Sequence, residues 1–195
     1  MNINKEKIGF IPRTICEVGT GGSEVLQCGN LLDLNSKFIF IEPNPHSFKL
    51  LVNKFSNDKR IVLYQAACAD KSGQGKYYNN NHNNENASGF IEGVISPLMI
   101  GHNYQPKDDD ATLVNFIEFN QIDDGTIDIL FADCEGAEWF VINKMISRPK
   151  ILCIETHSPH GFKNKFLPEI EKWMENNQYI KINSDSSDDL YILNI

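Results

Sequence analysis

The sequence predicts an α/β fold: a doubly wound, mostly parallel seven-stranded sheet with an antiparallel edge strand, in a single domain over residues 1–195. Three observations predict it. Short apolar runs alternate with segments of helical periodicity, the pattern of parallel strands joined by crossover helices. Acidic residues stand where those runs end, at Glu17, Glu42, Asp133 and Glu155. Two short strand-like runs close the chain with no helix between them, so they read as a hairpin that leaves one edge strand antiparallel.

The first strand is Thr14 to Val18, and it ends in the glycine turn Gly19-Thr20-Gly21-Gly22. Glycine suits a backbone that must bend tightly there. Ser23 can cap a following helix, and Val25, Cys28, Leu31 and Leu32 give that helix one apolar face. Phe38 to Ile41 is a continuous apolar run, as in a parallel strand covered on both faces. Glu42-Pro43-Asn44-Pro45 ends it, with Asn44 as N-cap and Pro45 as first residue of a helix buried through Phe48, Leu51, Val52 and Phe55.

A third strand runs from Ile61 to Ala66. Residues 74–110 then read as an irregular insertion, with the asparagine-rich tract 79–86 as an exposed tip and Asp108-Asp109-Asp110 as a solvated helix start. Such an insertion is either a lid or binding loop or a tolerated surface insertion. Ser88, Gly89, His102 and Tyr104 are its candidate acceptor contacts. The fourth strand, Ile127 to Ala132, ends at Asp133 and leads to a helix over Glu138 to Ile146. The fifth, Ile151 to Ile154, ends in Glu155-Thr156-His157. A helix near Leu167 to Asn177 and strands around Tyr179 to Ile182 and Leu190 to Leu193 complete the chain. Trp139 and Trp173 read as core residues.

Composition narrows the function. A net charge of −8, from 18 basic and 26 acidic residues, argues against a non-specific nucleic-acid binder, so no nucleic-acid partner is expected. No apolar run approaches the roughly 18 residues of a membrane span, and the N-terminus lacks a signal peptide's apolar stretch, so the expected location is cytoplasmic. Cys16, Cys28, Cys68, Cys134 and Cys153 form no C-x-x-C pair and read as buried, reduced thiols.

In a doubly wound sheet the ligand lies at the carboxyl ends of the strands. Glu17, Glu42, Asp133, Glu155 and His157 all fall at those ends. A dinucleotide fold needs G-x-G-x-x-G, and here Glu24 stands where the third glycine belongs. Glu17, just before the turn, is unwelcome beside a pyrophosphate and suits a cation. S-adenosylmethionine carries a sulfonium and an ammonium group, and Glu42 can bind its ribose hydroxyls. The candidate cofactor residues on this reading are Glu17, Gly19, Thr20, Gly21 and Glu42. An NAD-binding oxidoreductase is the alternative on the same turn.

With these residues in place, the chain resembles the FkbM family of S-adenosylmethionine-dependent methyltransferases over about residues 14–160. Three segments carry the resemblance: Glu17-Val18-Gly19-Thr20-Gly21; Ile41-Glu42-Pro43-Asn44-Pro45 leading to Ala66-Ala67; and Asp133-Cys134-Glu135-Gly136-Ala137-Glu138 followed by Ile154-Glu155-Thr156-His157. The resemblance implies a Rossmann-like class I methyltransferase domain that methylates a hydroxyl of a sugar, glycan or other small molecule, and it adds Pro43, Asn44, Ala66, Ala67 and Asp133 to the candidate cofactor residues. Phe131 stands where the family commonly has lysine, which keeps open a cofactor-binding module that has lost catalysis. Catalysis would be an in-line displacement at an activated methyl, with Asp133 or His157 as base and Glu135 orienting the acceptor or contacting the cofactor. No metal is assigned, although Asp133, Glu135, Glu155 and His157 form an oxygen-rich group of the kind that suits magnesium.

Overall fold

The computed structural model describes residues 3, 5–79, 89–94, 96, 107, 109, 111–157, 161–185 and 187–194. Its elements in chain order are β1 (Thr14–Val18), β2 (Lys37–Ile41), α1 (Pro45–Phe55), β3 (Ile61–Tyr64), β4 (Ala67–Cys68), β5 (Gly73–Asn79), β6 (Gly89–Ile91), β7 (Ala111–Ile117), β8 (Ile127–Ala132), α2 (Glu138–Ile142), β9 (Ile151–Glu155), α3 (Leu167–Asn176), β10 (Tyr179–Ser184) and β11 (Asp188–Leu193). Among the described residues no helix is long and apolar enough to cross a membrane.

The large sheet has seven strands in the order β10-β11-β9-β8-β1-β2-β3. Every residue of β1 and β8 is buried, which explains their central place. The β1–β2, β2–β3, β1–β8 and β8–β9 pairings are parallel. The closing hairpin adds β11 antiparallel to β9, with β10 outside it at the edge. The antiparallel strand thus lies one place in from the edge. Strand order reverses between β1 and β8, and that is where a doubly wound sheet opens its ligand crevice.

Strand residues alternate between two apolar layers. Cys16, Val18, Ile39, Ile41, Leu130 and Leu152 pack with Val141 and Ile142 of α2 and Ile170 and Met174 of α3. Ile15, Phe38, Phe40, Ile129, Phe131 and Cys153 pack with Leu51 and Phe55 of α1 and with Cys28 and Leu31. Trp139 and Trp173 border the first layer.

Several expectations are corrected. The helix expected after Ser23 is absent; residues 22–34 form turns and one 3-10 turn at Gly29–Leu31. Cys28 and Leu31 are buried as expected, but Val25 is 62% exposed. The Glu17 carboxylate accepts from the backbone N–H groups of Gln27 and Cys28 at 2.9 Å each, capturing donors that an α-helix would use. The helix expected to reach Ile146 stops at Ile142. Asp123 Oδ2 accepts from the N–H groups of Ile146 and Ser147 at 2.7 Å each and turns the chain there.

The stretch expected to be irregular is the largest correction. β4, β5, β6 and β7 form a second sheet in the order β4-β7-β5-β6. β5 pairs antiparallel with both β6 and β7. Asp109 is exposed and in a 3-10 turn, and a strand, not an α-helix, follows it from Ala111. The expectations for 80–86, for Ser88, His102 and Tyr104, and for Asp108 and Asp110 lie outside the described residues.

Candidate active site at the carboxyl edge of the sheet

The β1 exit is fixed by its neighbours. Gly19 N–H donates to Ile41 O at 2.9 Å, and Asp133 N–H donates to Val18 O at 3.0 Å. Gly19 has φ 81°, and a Cβ there would lie 1.7 Å from the Asp133 carbonyl oxygen. A glycine is required because β1 and β8 leave the sheet in contact.

Glu42, at the β2 exit, gathers the turn. Its Oε2 accepts from Gly21 N–H at 2.7 Å and Thr20 Oγ1 at 3.3 Å, and its Oε1 accepts from Asn44 N–H at 2.8 Å. Asn44 Oδ1 in turn caps α1, accepting from His46 N–H at 2.9 Å and Ser47 N–H at 3.4 Å. Burial pushes the Glu17 and Glu42 carboxyls above their usual range, and the backbone donors oppose that shift.

The β8 exit turns through Glu135 and Gly136, both at positive φ (52° and 99°). A left-handed glutamate is uncommon and costs on the order of 1 kcal/mol. Glu138 holds this turn from beneath. Its Oε1 accepts from Cys134 N–H at 2.6 Å and Gly136 N–H at 3.3 Å, and its Oε2 accepts from the Asn164 amide. Burial pushes the Glu138 carboxyl up to about 8.

These exits enclose a cavity of about 320 Å³. Of the residues expected from sequence, Glu17, Gly19, Thr20, Gly21, Glu42, Pro43, Ala66, Ala67, Gly89, Asp133 and Glu135 line it. Asn44 stands behind Glu42 and is not among the lining residues. His157 is not brought to the cavity either; its Nδ1 meets Thr156 Oγ1 at 2.8 Å and its Nε2 meets Asp185 O at 3.1 Å.

Sequence reasoning missed Gln27 and Tyr77, which also line the cavity. Gln27 Nε2 donates to Asp133 Oδ2 at 3.0 Å, and nothing in the spacing signals that contact. Tyr77 arrives on β5 together with Gly89 and Ile91 of β6. The Tyr-Tyr pair at 77–78 was a strand signal within a stretch dominated by asparagine and glycine.

Asp133, Glu135 and Glu155 each place a carboxylate oxygen within 4.8 Å of the other two. Removal from water, then the Glu135 charge, pushes Asp133 up to about 7. Burial and then Asp133 push Glu155 up to about 12.

The fold recurs in solved structures. A chain from Pyrococcus horikoshii assigned as an RNA methyltransferase superposes with a TM-score of 0.51 at 10% identity, covering 96% of this chain and 78% of that one. Aeropyrum pernix fibrillarin, solved with S-adenosyl-L-methionine bound, gives 0.51 at 9% identity over 97% and 71%. A Methanococcus maripaludis chain assigned as an S-adenosylmethionine-dependent methyltransferase gives 0.50 at 7% identity over 96% and 80%. No curated protein matches the sequence at a significant level. The model of the methyltransferase FkbM domain matches residues 23–181, most of the chain. The chain therefore belongs to the FkbM methyltransferase family, and S-adenosylmethionine is its cofactor.

Proposed function

We propose that the cavity is the methyl-transfer site, taking the methyl group of S-adenosylmethionine to a hydroxyl of a sugar, glycan or other small molecule. One observation carries this reading. Glu17, Glu42, Asp133 and Glu135 line the cavity, and among the described residues no lysine, arginine or histidine does. Such a wall attracts the cofactor's sulfonium and ammonium groups, and repels the pyrophosphate of a dinucleotide or the backbone of a nucleic acid.

The turn from Gly19 to Gly21, with Glu17 behind it, is assigned to the cofactor's charged end. Glu42 and Pro43 are assigned to its ribose side, with Asn44 holding Glu42 from behind, and Ala66 and Ala67 to the remaining wall. Asp133 and Glu135 are assigned to the acceptor. S-adenosylmethionine, when bound, would supply the activated methyl group and keep the electron pair of the broken carbon–sulfur bond on sulfur. The hydroxyl proton passes to a carboxylate oxygen. Positioning two reactants in line supplies much of the rate. His157 holds its own loop and has no part in this step.

Phe131 bears on the inactive-module alternative. Its side chain is fully buried in the α1 layer and does not line the cavity, so its replacement of a lysine leaves the cavity wall unchanged. All five cysteines are free, as the reducing cytoplasm expected for this chain would leave them.

The test is a thermal melt with S-adenosylhomocysteine and with NAD, followed by labelled methyl transfer to a panel of sugars and small hydroxyl compounds. A ligand at a hundredfold excess over Kd adds about 2.7 kcal/mol of stability. The product cofactor should raise Tm, NAD should not, and label should reach a hydroxyl. A Tm shift with NAD alone would refute the reading. Cofactor binding without transfer to any acceptor would leave only the binding module.

A further inference from the structure

We propose that Asp133, Glu135 and Glu155 bind one divalent cation of the magnesium or manganese type at the wall of the cofactor cavity. The three carboxylates come from two neighbouring strand exits: Glu155 is the last residue of β9, and Asp133 and Glu135 follow β8. One oxygen from each lies within 4.8 Å of the other two. Around a magnesium ion at about 2.1 Å, adjacent ligand oxygens stand about 3 Å apart, so closure asks for roughly an ångström of side-chain movement.

Proximity alone would not make a site. The second observation is Glu155 Oε2. Glu155 is only 9% exposed, and this oxygen is fully buried with no hydrogen-bond partner among the described residues. A buried carboxylate oxygen without a donor or a cation is costly, and native structures seldom leave one so. Among the described residues, no lysine, arginine or histidine forms an ion pair with any of the three carboxylates. Among the described residues, the Ser96 hydroxyl donates to Glu135 Oε2 and Gln27 Nε2 to Asp133 Oδ2, and Asp133 and Glu155 are hydrogen-bonded to each other through their carboxyls. A cation would satisfy the orphaned oxygen.

The donor set defines the ion. It is all oxygen, which selects a hard cation. His157 would have softened it towards zinc, but both its ring nitrogens are engaged elsewhere. Asp133 and Glu135 line the cavity, so the ion would face its contents. If the cavity is the methyl-transfer site, as proposed above, a bound ion would take the acceptor oxygen as a ligand and make its proton easier to lose. That favours an acceptor with two adjacent oxygens able to chelate, such as a vicinal diol. The proton still goes to a carboxylate oxygen and the leaving electron pair to sulfur, with the ion unchanged.

The test uses the full chain, stripped with chelator, without cofactor. Mn²⁺ is titrated by electron paramagnetic resonance and by calorimetry. One site is expected, weakened at least tenfold in both Glu155→Gln and Asp133→Asn. Thermal melts provide the second readout. Mn²⁺ should raise the Tm of the wild-type chain and leave the Tm of Glu155→Gln unchanged. Absence of Mn²⁺ binding, or equal binding by the wild-type chain and Glu155→Gln, overturns the proposal. A chain that binds S-adenosylhomocysteine but not Mn²⁺ loses this site and keeps the proposed function; the opposite pattern keeps the site and loses that function.

Discussion

Single residues at the strand exits do structural and chemical work together. Gly19 is the clearest case. A methyl group there would overlap the Asp133 carbonyl and sit at a φ of 81°. The obstacle is backbone, so it cannot swing aside, and Gly19→Ala should cost about 3 kcal/mol or more through strain and displacement of the β8 exit. Urea unfolding should show it, and a midpoint like that of the wild-type chain would refute the packing described. Glu42 is similar. Its carboxylate ties Gly21, Thr20 and Asn44 together, so its loss affects both the fold and the ribose side of the cavity. Glu42→Ala should raise the Kd for S-adenosylhomocysteine at least tenfold and lower stability by about 1.5–3 kcal/mol, the range for bonds to a charged group. Calorimetry and urea unfolding separate the two effects. A stability loss with unchanged affinity would show that the cofactor does not touch Glu42.

Elements are decided by such contacts as much as by periodicity. Glu138 begins α2 and closes its carboxylate over Cys134 and Gly136 while reaching Asn164. Glu138→Ala would leave those buried donors unpaired, and a loss of about 3 kcal/mol or more is expected in urea unfolding. A loss below about 1 kcal/mol would mean that water replaces the carboxylate. The strands β1, β2, β8 and β9 were legible from sequence because a continuous apolar run has few other uses in a chain this polar. The cofactor turn was legible because acids and glycines mark strand exits. What escaped detection depended on long-range contacts. Val25, Cys28, Leu31 and Leu32 have helical spacing, yet Glu17 captures the backbone they would need. β4 is two residues long and exists only through pairing with β7, nearly fifty positions on. His157 had the right position at a strand exit, but a neighbouring hydroxyl and the Asp185 carbonyl hold its ring.

The whole molecule joins two sheets over one cavity. β3 ends at Tyr64 in the large sheet and β4 begins at Ala67 in the small one, with only Gln65 and Ala66 between them. Ala66, Ala67 and Cys68 line the cavity, as do Tyr77 on β5 and Gly89 and Ile91 on β6. Gly89 makes that placement possible. A Cβ there would lie 2.3 Å from the Tyr77 ring, so the ring occupies the space that a side chain would fill. A ligand in the cavity therefore touches both sheets and resists local opening of each by the same binding energy. On titration with S-adenosylhomocysteine, amide exchange should slow at Gly19 to Gly21, and in parallel at Tyr77, Tyr78 and Gly89 to Ile91. At a hundredfold excess over Kd, the slowing can reach about a hundredfold for any opening that releases the ligand. β10 and β11 contribute no lining residue, so exchange there through local opening should keep its rate. Slowing confined to Gly19 to Gly21 would make the small sheet a passive insertion, and the acceptor's second wall would then have to be sought in the loop that follows Glu155.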